Sequence, residues 1–399
     1  MILIVNKIIY NNNNNSFTEW ANEDGFLRSD VSQVTYPDRK LHRSHGSAPF
    51  DEMTKVPVAI VSGFLGAGKT TLLNHLLRNS GGRRMAVLVN DFGELNIDAE
   101  LISRVEGETI SLANGCVCCN IRGDLVRALL QLLENSPRPD YVIIETSGVS
   151  DPGAAAMGLV ISTQLAALVQ LDAIVTLVDA GHVLSLAAGD SALAADQVQA
   201  ADMVVINKVD RATPRQIADI RAWIAAITPD ARVMEATQSR VPWNLLFGLE
   251  VLADATRLPV ERAGAPEAQH AVHGDDHDHD HGTTYASVSW THDQPLAFEA
   301  IYSLFKTLPT SIFRAKGIIR LDAVPERRVI LQMVGRRVIL TKGEPWGSAL
   351  PISKIVMIGP AGELDREQLK QRLDGCLAKD NPPTRNRFAE AVLEILRRQ

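Results

Sequence analysis

Short apolar runs alternate with longer amphipathic stretches from residue 56 to about residue 252. Five of the runs, VAIVS, MAVLVN, YVIIE, AIVTLVD and MVVIN, are rich in β-branched residues and almost wholly apolar. Strands that are buried on both faces of a parallel sheet have this composition. The stretches between them, such as TLLNHLLRN and LVRALLQLLEN, carry apolar residues at helical spacing. The alternation predicts a doubly wound α/β domain with a mostly parallel sheet.

A smaller α+β domain is predicted after residue 284. YASVSW, IFRAKGIIRL, RRVILQMVG, RRVILTK and KIVMIG read as strands, whereas AFEAIYSLFKTL and DREQLKQRLDGCL read as helices. Before the first domain, the run NNNNN and the polar sequence around it bury too little apolar surface to offset the entropy of ordering. The predicted organisation is a disordered or dispensable extension at 1–52, the α/β domain at 53–252, a His/Asp-rich flexible linker at 253–284, the α+β domain at 285–378 and a C-terminal tail with a helix at 379–399.

Composition narrows the class of protein. The 399 residues carry a net charge of -7, and no basic patch appears, so nucleic acid is not an expected partner. No apolar run reaches the roughly 20 residues that span a bilayer, so no membrane is expected either. The first residues, MILIVNKIIY, lack the basic start and the cleavage site of a signal peptide. We therefore expect a cytoplasmic protein whose thiols stay reduced.

The segment GFLGAGKT, residues 63–70, fits the phosphate-binding pattern G-x-x-x-x-G-K-[ST]. It follows a predicted strand and opens a predicted helix, as the pattern requires. Backbone N–H groups of such a loop surround phosphates, while the lysine reaches the outer phosphates and the hydroxyl binds Mg²⁺. The predicted nucleotide-binding residues are Gly63, Gly66, Ala67, Gly68, Lys69, Thr70 and Thr71, of which Lys69 and Thr70 are also catalytic candidates and Thr70 is also a candidate ligand of Mg²⁺.

Two later motifs also follow predicted strands. In YVIIETSG, Glu145 stands where ligands bind in open α/β sheets and is a candidate ligand of Mg²⁺, and Gly148 offers an N–H group to a γ-phosphate. Both residues are also catalytic candidates. In NKVD, Asp210 can accept both the ring N–H and the amine of guanine, a pair of donors that adenine lacks. Asn207 and Lys208 would brace the base and the phosphate loop. The motifs together predict a P-loop GTPase that binds GTP.

Three of the four cysteines, Cys116, Cys118 and Cys119, lie within GCVCCN. A structural disulfide is unfavourable in a reducing compartment, and adjacent cysteines pair only in a strained geometry. A structural zinc site would need a second pair of cysteines nearby, which the sequence lacks. Three readings of the residues remain: metal transfer or sensing, a redox switch, and inert core thiols.

The motifs GFLGAGKTT, NDFGE, NGCVCC, ETSG and NKVD together resemble the CobW group of metal-handling GTPases, which is related to the nickel-insertion GTPases HypB and UreG. RAKGIIRL, ILQMVG and KIVMIG are similar to the C-terminal domain of that group, so the resemblance covers about residues 56–376. It implies that the three clustered cysteines bind zinc or cobalt under the control of the nucleotide. Asp91, at the start of an acidic segment that γ-phosphate and Mg²⁺ could order, stands where the family usually has glutamate and is a further candidate metal contact.

The linker contains HGDDHDHDHG, residues 273–282. Neutral imidazoles bind Zn²⁺ and Co²⁺, and the negative charge of the aspartates between the histidines attracts these cations. His277, His279 and His281 are therefore candidate weak ligands that would collect metal for the cysteines. The alternative is that this segment is a solvated linker whose low-complexity sequence arose by drift and has no role in metal binding.

The expected function is that of a GTP phosphohydrolase with slow turnover. GTP would close a metal site on the cysteines, and hydrolysis would release the metal to an unidentified client metalloprotein. A helper for cobalt insertion in cobalamin synthesis or nitrile hydratase activation is one alternative, and a GTP-gated metal buffer or sensor without a client is another. An ATP-dependent kinase is disfavoured by NKVD. A dimer that depends on metal or nucleotide is also compatible with the sequence.

Overall fold

The computed structural model describes residues 2–5, 8–11, 16–19, 55–80, 82–89, 109–111, 121–134, 137–246, 285–382 and 387–397. Cys116, Cys118, Cys119, Asp91 and the three linker histidines lie outside the described residues.

The first domain is built on a seven-stranded sheet in which every neighbouring pair is parallel. Its strands are β4 (Val56–Gly63), β5 (Met85–Val89), β6 (Thr109–Ser111), β7 (Tyr141–Glu145), β8 (Val169–Asp179), β9 (Met203–Asn207) and β10 (Arg232–Ala236), in the order β10-β9-β8-β4-β7-β5-β6. This confirms the predicted doubly wound sheet. The five apolar runs are β4, β5, β7, β8 and β9, and the two edge strands β6 and β10 complete the sheet.

Helices cover both faces of this sheet. They are α1 (Lys69–Arg78), α2 (Ile121–Glu134), α3 (Pro152–Ile161), α4 (Thr163–Leu168), α5 (Ala188–Ala200), α6 (Pro214–Ile227) and α7 (Trp243–Leu246). In β4, Val58 and Ile60 pack with α2, α3 and α4, whereas Ala59 and Val61 pack with α1 and α7. Because both sets are fully buried, the strand is apolar at every position from Val58 to Val61 rather than at alternate ones.

The second domain is an antiparallel sheet with helices on one face, as predicted for an α+β unit. Its strands are β11 (Tyr285–His292), β12 (Arg314–Leu321), β13 (Val324–Val334), β14 (Arg337–Pro345) and β15 (Ser353–Pro360), in the order β11-β15-β12-β13-β14. The helices α8 (Phe298–Lys306), α9 (Arg366–Asp374) and α10 (Arg387–Arg397) contribute to its core. Cys376 is buried in that core, and burial raises the pKa of its thiol to about 11.

Three further strands lie within the N-terminal extension: β1 (Ile2–Val5), β2 (Ile8–Asn11) and β3 (Ser16–Glu19). The backbone of β1 pairs antiparallel with β14, and β2 and β3 continue the sheet. The dispensability of residues 1–52 and the domain boundaries stay predictions.

The second domain docks on the edge of the parallel sheet where the strands begin. Arg314 donates a 2.6 Å hydrogen bond to Asp172, near the start of β8, and both side chains are buried. Tyr141 donates to the other oxygen of Asp172 at 2.7 Å. Burial opposes ionisation of Asp172, but Arg314 and its neighbours hold the pKa of the carboxyl below its ordinary value.

A second buried ion pair crosses the same boundary. The guanidinium of Arg337 lies 2.8 Å from the carboxylate of Asp202, which also accepts a 2.8 Å hydrogen bond from the backbone N–H of Ile174. Burial raises the pKa of Asp202, and Arg337 offsets part of that effect. The two domains are therefore joined by charges that each supplies to the other, at the edge opposite the predicted nucleotide site.

Candidate functional site

The phosphate loop joins β4 to α1 at the edge of the sheet where the strands end. Gly68, the residue before α1, has a φ of 105°, which favours glycine. A Cβ atom at this position would also collide with the side-chain amide of Asn207 and lie 2.7 Å from the Ser239 hydroxyl. The loop is therefore packed directly on residues that come much later in the chain.

Lys69 and Thr70 open helix α1 and project from the loop in different directions. The ammonium of Lys69 donates a 2.9 Å hydrogen bond to the carbonyl of Gly63 and is largely buried. The hydroxyl of Thr70 donates to Glu145 across 3.2 Å. Thr71, the next residue of the helix, is exposed.

Glu145 ends strand β7 and is buried beside Thr70. A hydroxyl and a carboxylate at this edge form a set of oxygen donors suited to a hard cation such as Mg²⁺. The residues present therefore fit the predicted magnesium site. Ala67, on the other side of the loop, is also buried.

Asn207 and Lys208 brace the phosphate loop from behind. The amide of Asn207 donates to the carbonyl of Ala67 at 2.8 Å. The ammonium of Lys208 donates to the carbonyl of Gly66 and to the carboxylate of Asp179, each at 2.7 Å. Asp210 lies on the following turn with a side chain that is 46% exposed, so its carboxylate faces solvent at the same edge.

Sequence reasoning missed two residues of this arrangement. Asp179 ends β8, and an acid at the end of an apolar strand is the same signal that pointed to Glu145. Ser239 carries no such signal: its backbone N–H donates to Asn207 at 2.8 Å, and its hydroxyl donates to the carbonyl of Gly68 at 3.0 Å. Gln238 and Ser239 both have positive φ angles without being glycine, so nothing in the local sequence marks the turn.

Residues 146–150, which we call the 146–150 turn, follow Glu145 and lie against the phosphate loop. The N–H of Thr146 donates to the carbonyl of Val61 at 3.0 Å, and the N–H of Ser150 closes the turn on Ser147. Gly148 approaches Leu65 so closely that an added Cβ would lie 2.8 Å from the backbone nitrogen of Leu65. Only glycine fits this contact without a shift of the loop.

The residues on either side of the cysteine segment lie in described elements. Strand β6 runs parallel to β5, so its last residue, Ser111, lies at the same edge as the phosphate loop. Helix α2 begins at Ile121. Across the described residues, no group of three or more His, Cys, Asp or Glu side chains is arranged to hold a metal ion.

Two family models match the chain. One, described as CobW/HypB/UreG, nucleotide-binding domain, matches residues 57–235, and the other, described as Cobalamin synthesis protein cobW C-terminal domain, matches residues 285–377. A protein of Pseudomonas aeruginosa named "Zinc chaperone CobW" is 31% identical to the chain over 88% of its length and 99% of the relative. The chain belongs to the CobW/HypB/UreG family. This membership confirms the resemblance on which the predicted roles rest.

This member of the CobW/HypB/UreG family is also similar to two other proteins. "Zinc-regulated GTPase metalloprotein activator 1" of Schizosaccharomyces pombe is 34% identical over 47% of this chain and 47% of the relative. The crystal structure of the zinc-bound YjiA GTPase from E. coli aligns with a TM-score of 0.40 and 24% identity, over 81% of this chain and 99% of that one.

Among the helices that the structure describes, none combines the length and the apolar content required to cross a bilayer.

Proposed function

We propose that this protein is a GTP-hydrolysing metallochaperone that binds Zn²⁺ or Co²⁺ in a nucleotide-dependent way and delivers the metal to a client protein. One observation carries the nucleotide part of the proposal. Asn207 and Lys208 hold the phosphate loop through direct hydrogen bonds, so Asp210 is presented at the same edge as Lys69, Thr70 and Glu145. A guanine base and a chain of phosphates require those groups at one edge.

The chain supplies each group that phosphoryl transfer needs. Thr70 and Glu145 would hold Mg²⁺, which neutralises the charge on the phosphates. Lys69 would leave the carbonyl of Gly63 for the outer phosphates, and the N–H of Gly148 would contact the third phosphate. Asp210 would select guanine over adenine. Catalysis then consists of positioning and charge stabilisation. Because no arginine finger is apparent from the sequence, we expect turnover well below the ~10 s⁻¹ of fully assisted GTPases.

The cargo metal would be held by Cys116, Cys118 and Cys119. Thiolates favour zinc, and cobalt shares such sites. The names of the relatives support zinc. The position of Ser111, the last described residue before the cysteine segment, at the edge of the phosphate loop supports control by the nucleotide. Three thiolates leave a fourth position open for a ligand of the client, which suits transfer of the metal. His277, His279 and His281 would gather metal in the linker, in the cytoplasm.

Two alternatives keep the same site. A cobalt-insertion helper for cobalamin synthesis or nitrile hydratase would differ only in its metal and client. A GTP-gated buffer or sensor would have no client. Isolation of a bound partner from the state loaded with metal and GTP analogue separates a chaperone from a buffer.

The test is the affinity for Zn²⁺ and Co²⁺, measured by competition with a metal indicator in the presence of a GTP analogue and of GDP. We expect tighter binding with the GTP analogue. Replacing Cys116, Cys118 and Cys119 by Ser should abolish tight binding and leave GTP affinity nearly unchanged. Cys376→Ala is the matched control, since the buried thiol of Cys376 has a raised pKa and stays protonated. Equal metal affinity in both nucleotide states would overturn the proposal.

A further inference from the structure

Gln197, in helix α5, reaches across to the 146–150 turn. Its side-chain nitrogen donates a 3.0 Å hydrogen bond to the carbonyl of Gly148 and a 3.1 Å hydrogen bond to the carbonyl of Ser150. Both partners are acceptors, so only the NH₂ end of the amide can face them. The residue is 0% exposed, its bond to Gly148 is buried, and its bond to Ser150 is partly buried.

Only the nitrogen of the Gln197 side-chain amide makes hydrogen bonds among the described residues. Its oxygen has no hydrogen-bond donor within the part of the chain that the structure describes. A buried acceptor without a partner costs stability, so the side chain is a poor choice for holding α5 against the sheet. The backbone of Gln197 holds α5 against the sheet instead: its carbonyl accepts a 2.9 Å hydrogen bond from the hydroxyl of Thr176 in β8.

The phosphate loop contacts the 146–150 turn on the side away from Gln197. The backbone N–H of Thr146 donates a hydrogen bond to the carbonyl of Val61, and Gly148 lies against Leu65 with no room for a side chain. The 146–150 turn is therefore clamped between the loop and Gln197. By holding the carbonyls of Gly148 and Ser150, Gln197 fixes the peptide groups that follow these two residues and so limits rotation of the backbone at Gly148.

We propose that Gln197 is a positioning residue that fixes the 146–150 turn so that the N–H of Gly148 meets the third phosphate of GTP. It would thereby set the preference for GTP over GDP without touching the nucleotide. The inference rests on the proposed GTPase function. It adds a residue that none of the nucleotide motifs contains.

The test compares two substitutions at Gln197 with one control. Gln197→Met keeps the length of the side chain and removes both donors. Gln197→Glu places an acceptor against the two carbonyls and regains a donor only when it is protonated. Thr176→Val breaks the bond between β8 and α5 and leaves the side chain of Gln197 intact. Affinities for a GTP analogue and for GDP, single-turnover hydrolysis and the melting temperature are measured for each.

We expect Gln197→Met to lose about tenfold in affinity for the GTP analogue, the effect of an ordinary hydrogen bond or two, and less than about twofold for GDP. Gln197→Glu should bind the GTP analogue more tightly as the pH falls, relative to wild type, because the protonated acid can donate again. Thr176→Val should lower the melting temperature and leave the ratio of the two affinities unchanged.

Equal losses for the GTP analogue and GDP at position 197 would overturn the inference, as would a Gln197→Glu variant whose pH profile matches wild type. If Gln197→Met does not fold, the pH profile of Gln197→Glu decides alone. Failure of the wild-type protein to bind either nucleotide would instead remove the proposed GTPase function, so the two failures are distinguishable.

Discussion

The side-chain amide of Asn207 donates a 2.8 Å hydrogen bond to the carbonyl of Ala67, which lies 140 residues earlier in the chain. The same nitrogen lies 2.8 Å from the hydroxyl of Ser239, and the amide oxygen accepts the N–H of Ser239. A residue of the base-recognition motif thus supports the phosphate loop itself. Base recognition and phosphate binding are therefore expected to weaken together when this residue is changed.

Asn207→Ala should lower the affinity for both GTP and GDP by about tenfold or more. The substitution leaves the carbonyl of Ala67 and the N–H of Ser239 without a partner, at a cost of about 1–3 kcal/mol each. Nucleotide titration checks the prediction. Asn381→Ala is the control, because Asn381 also donates to two backbone carbonyls but lies in the second domain. The prediction is wrong if both variants bind nucleotide equally well.

Asp210→Asn should weaken GTP binding and strengthen binding of xanthosine triphosphate. An asparagine can donate to the second carbonyl of xanthine, whereas the aspartate accepts from the N–H groups of guanine. Competition between the two nucleotides measures the switch. Asp190→Asn, an exposed acid at the start of α5, should leave the preference for GTP intact. Retention of that preference in Asp210→Asn would show that the carboxylate does not read the base.

Arg314→Met should destabilise the protein by about 3–5 kcal/mol. It leaves Asp172 as a buried carboxylate without the guanidinium that lies 2.6 Å away. Denaturant unfolding measures the free energy. The double variant Asp172→Asn with Arg314→Met should recover much of the loss, since no buried charge remains from the pair. Two losses that simply add would argue against coupling between these residues.

Lys316, next to this pair, should make stability depend on pH above neutrality. Burial, and then the charge of Arg314, lower its pKa from 10.5 to about 8. Between those two values the unfolded chain binds a proton that the folded protein does not, so the free energy of unfolding should rise as the pH rises. The full effect is about 3 kcal/mol at 1.36 kcal/mol for each pKa unit.

Lys316→Met should remove that rise. The measurement is the difference in unfolding free energy between wild type and variant at pH 7 and at pH 10, which cancels the contributions that other titratable groups make to both proteins. A difference that stays constant with pH would mean that Lys316 is protonated equally in both states.

Replacing residues 273–281 by a Gly/Ser segment of the same length should lower the number of metal ions bound and leave GTP hydrolysis unchanged. The imidazoles of His277, His279 and His281 are removed, while the distance between the domains along the chain is kept. Equilibrium dialysis at limiting metal checks the stoichiometry. Unchanged uptake would identify the segment as a solvated linker.

The strands at the centre of the sheet could be predicted because burial on both faces leaves a continuous apolar run. Strand β10 could not, because it has only five residues and a charged residue, Arg232, occupies one of its buried positions. Lys69, Glu145 and Asn207 were visible because each belongs to a local motif: Lys69 opens the helix after the phosphate loop, and Glu145 and Asn207 each end a strand. Gln197 and Ser239 were not, because their partners lie 47 and 32 residues away and no local pattern records a contact at that distance.

Asp172 and Asp202 belong to one domain, and the arginines that neutralise them belong to the other. The covalent connection between the domains, from residue 247 to residue 284, is therefore not what holds them together. A single protease cut in that stretch should leave two fragments that co-elute on gel filtration, whereas either fragment expressed alone would lack the opposite charges that the other supplies. The two domains are separate along the chain, but we expect each to need the other in order to be stable.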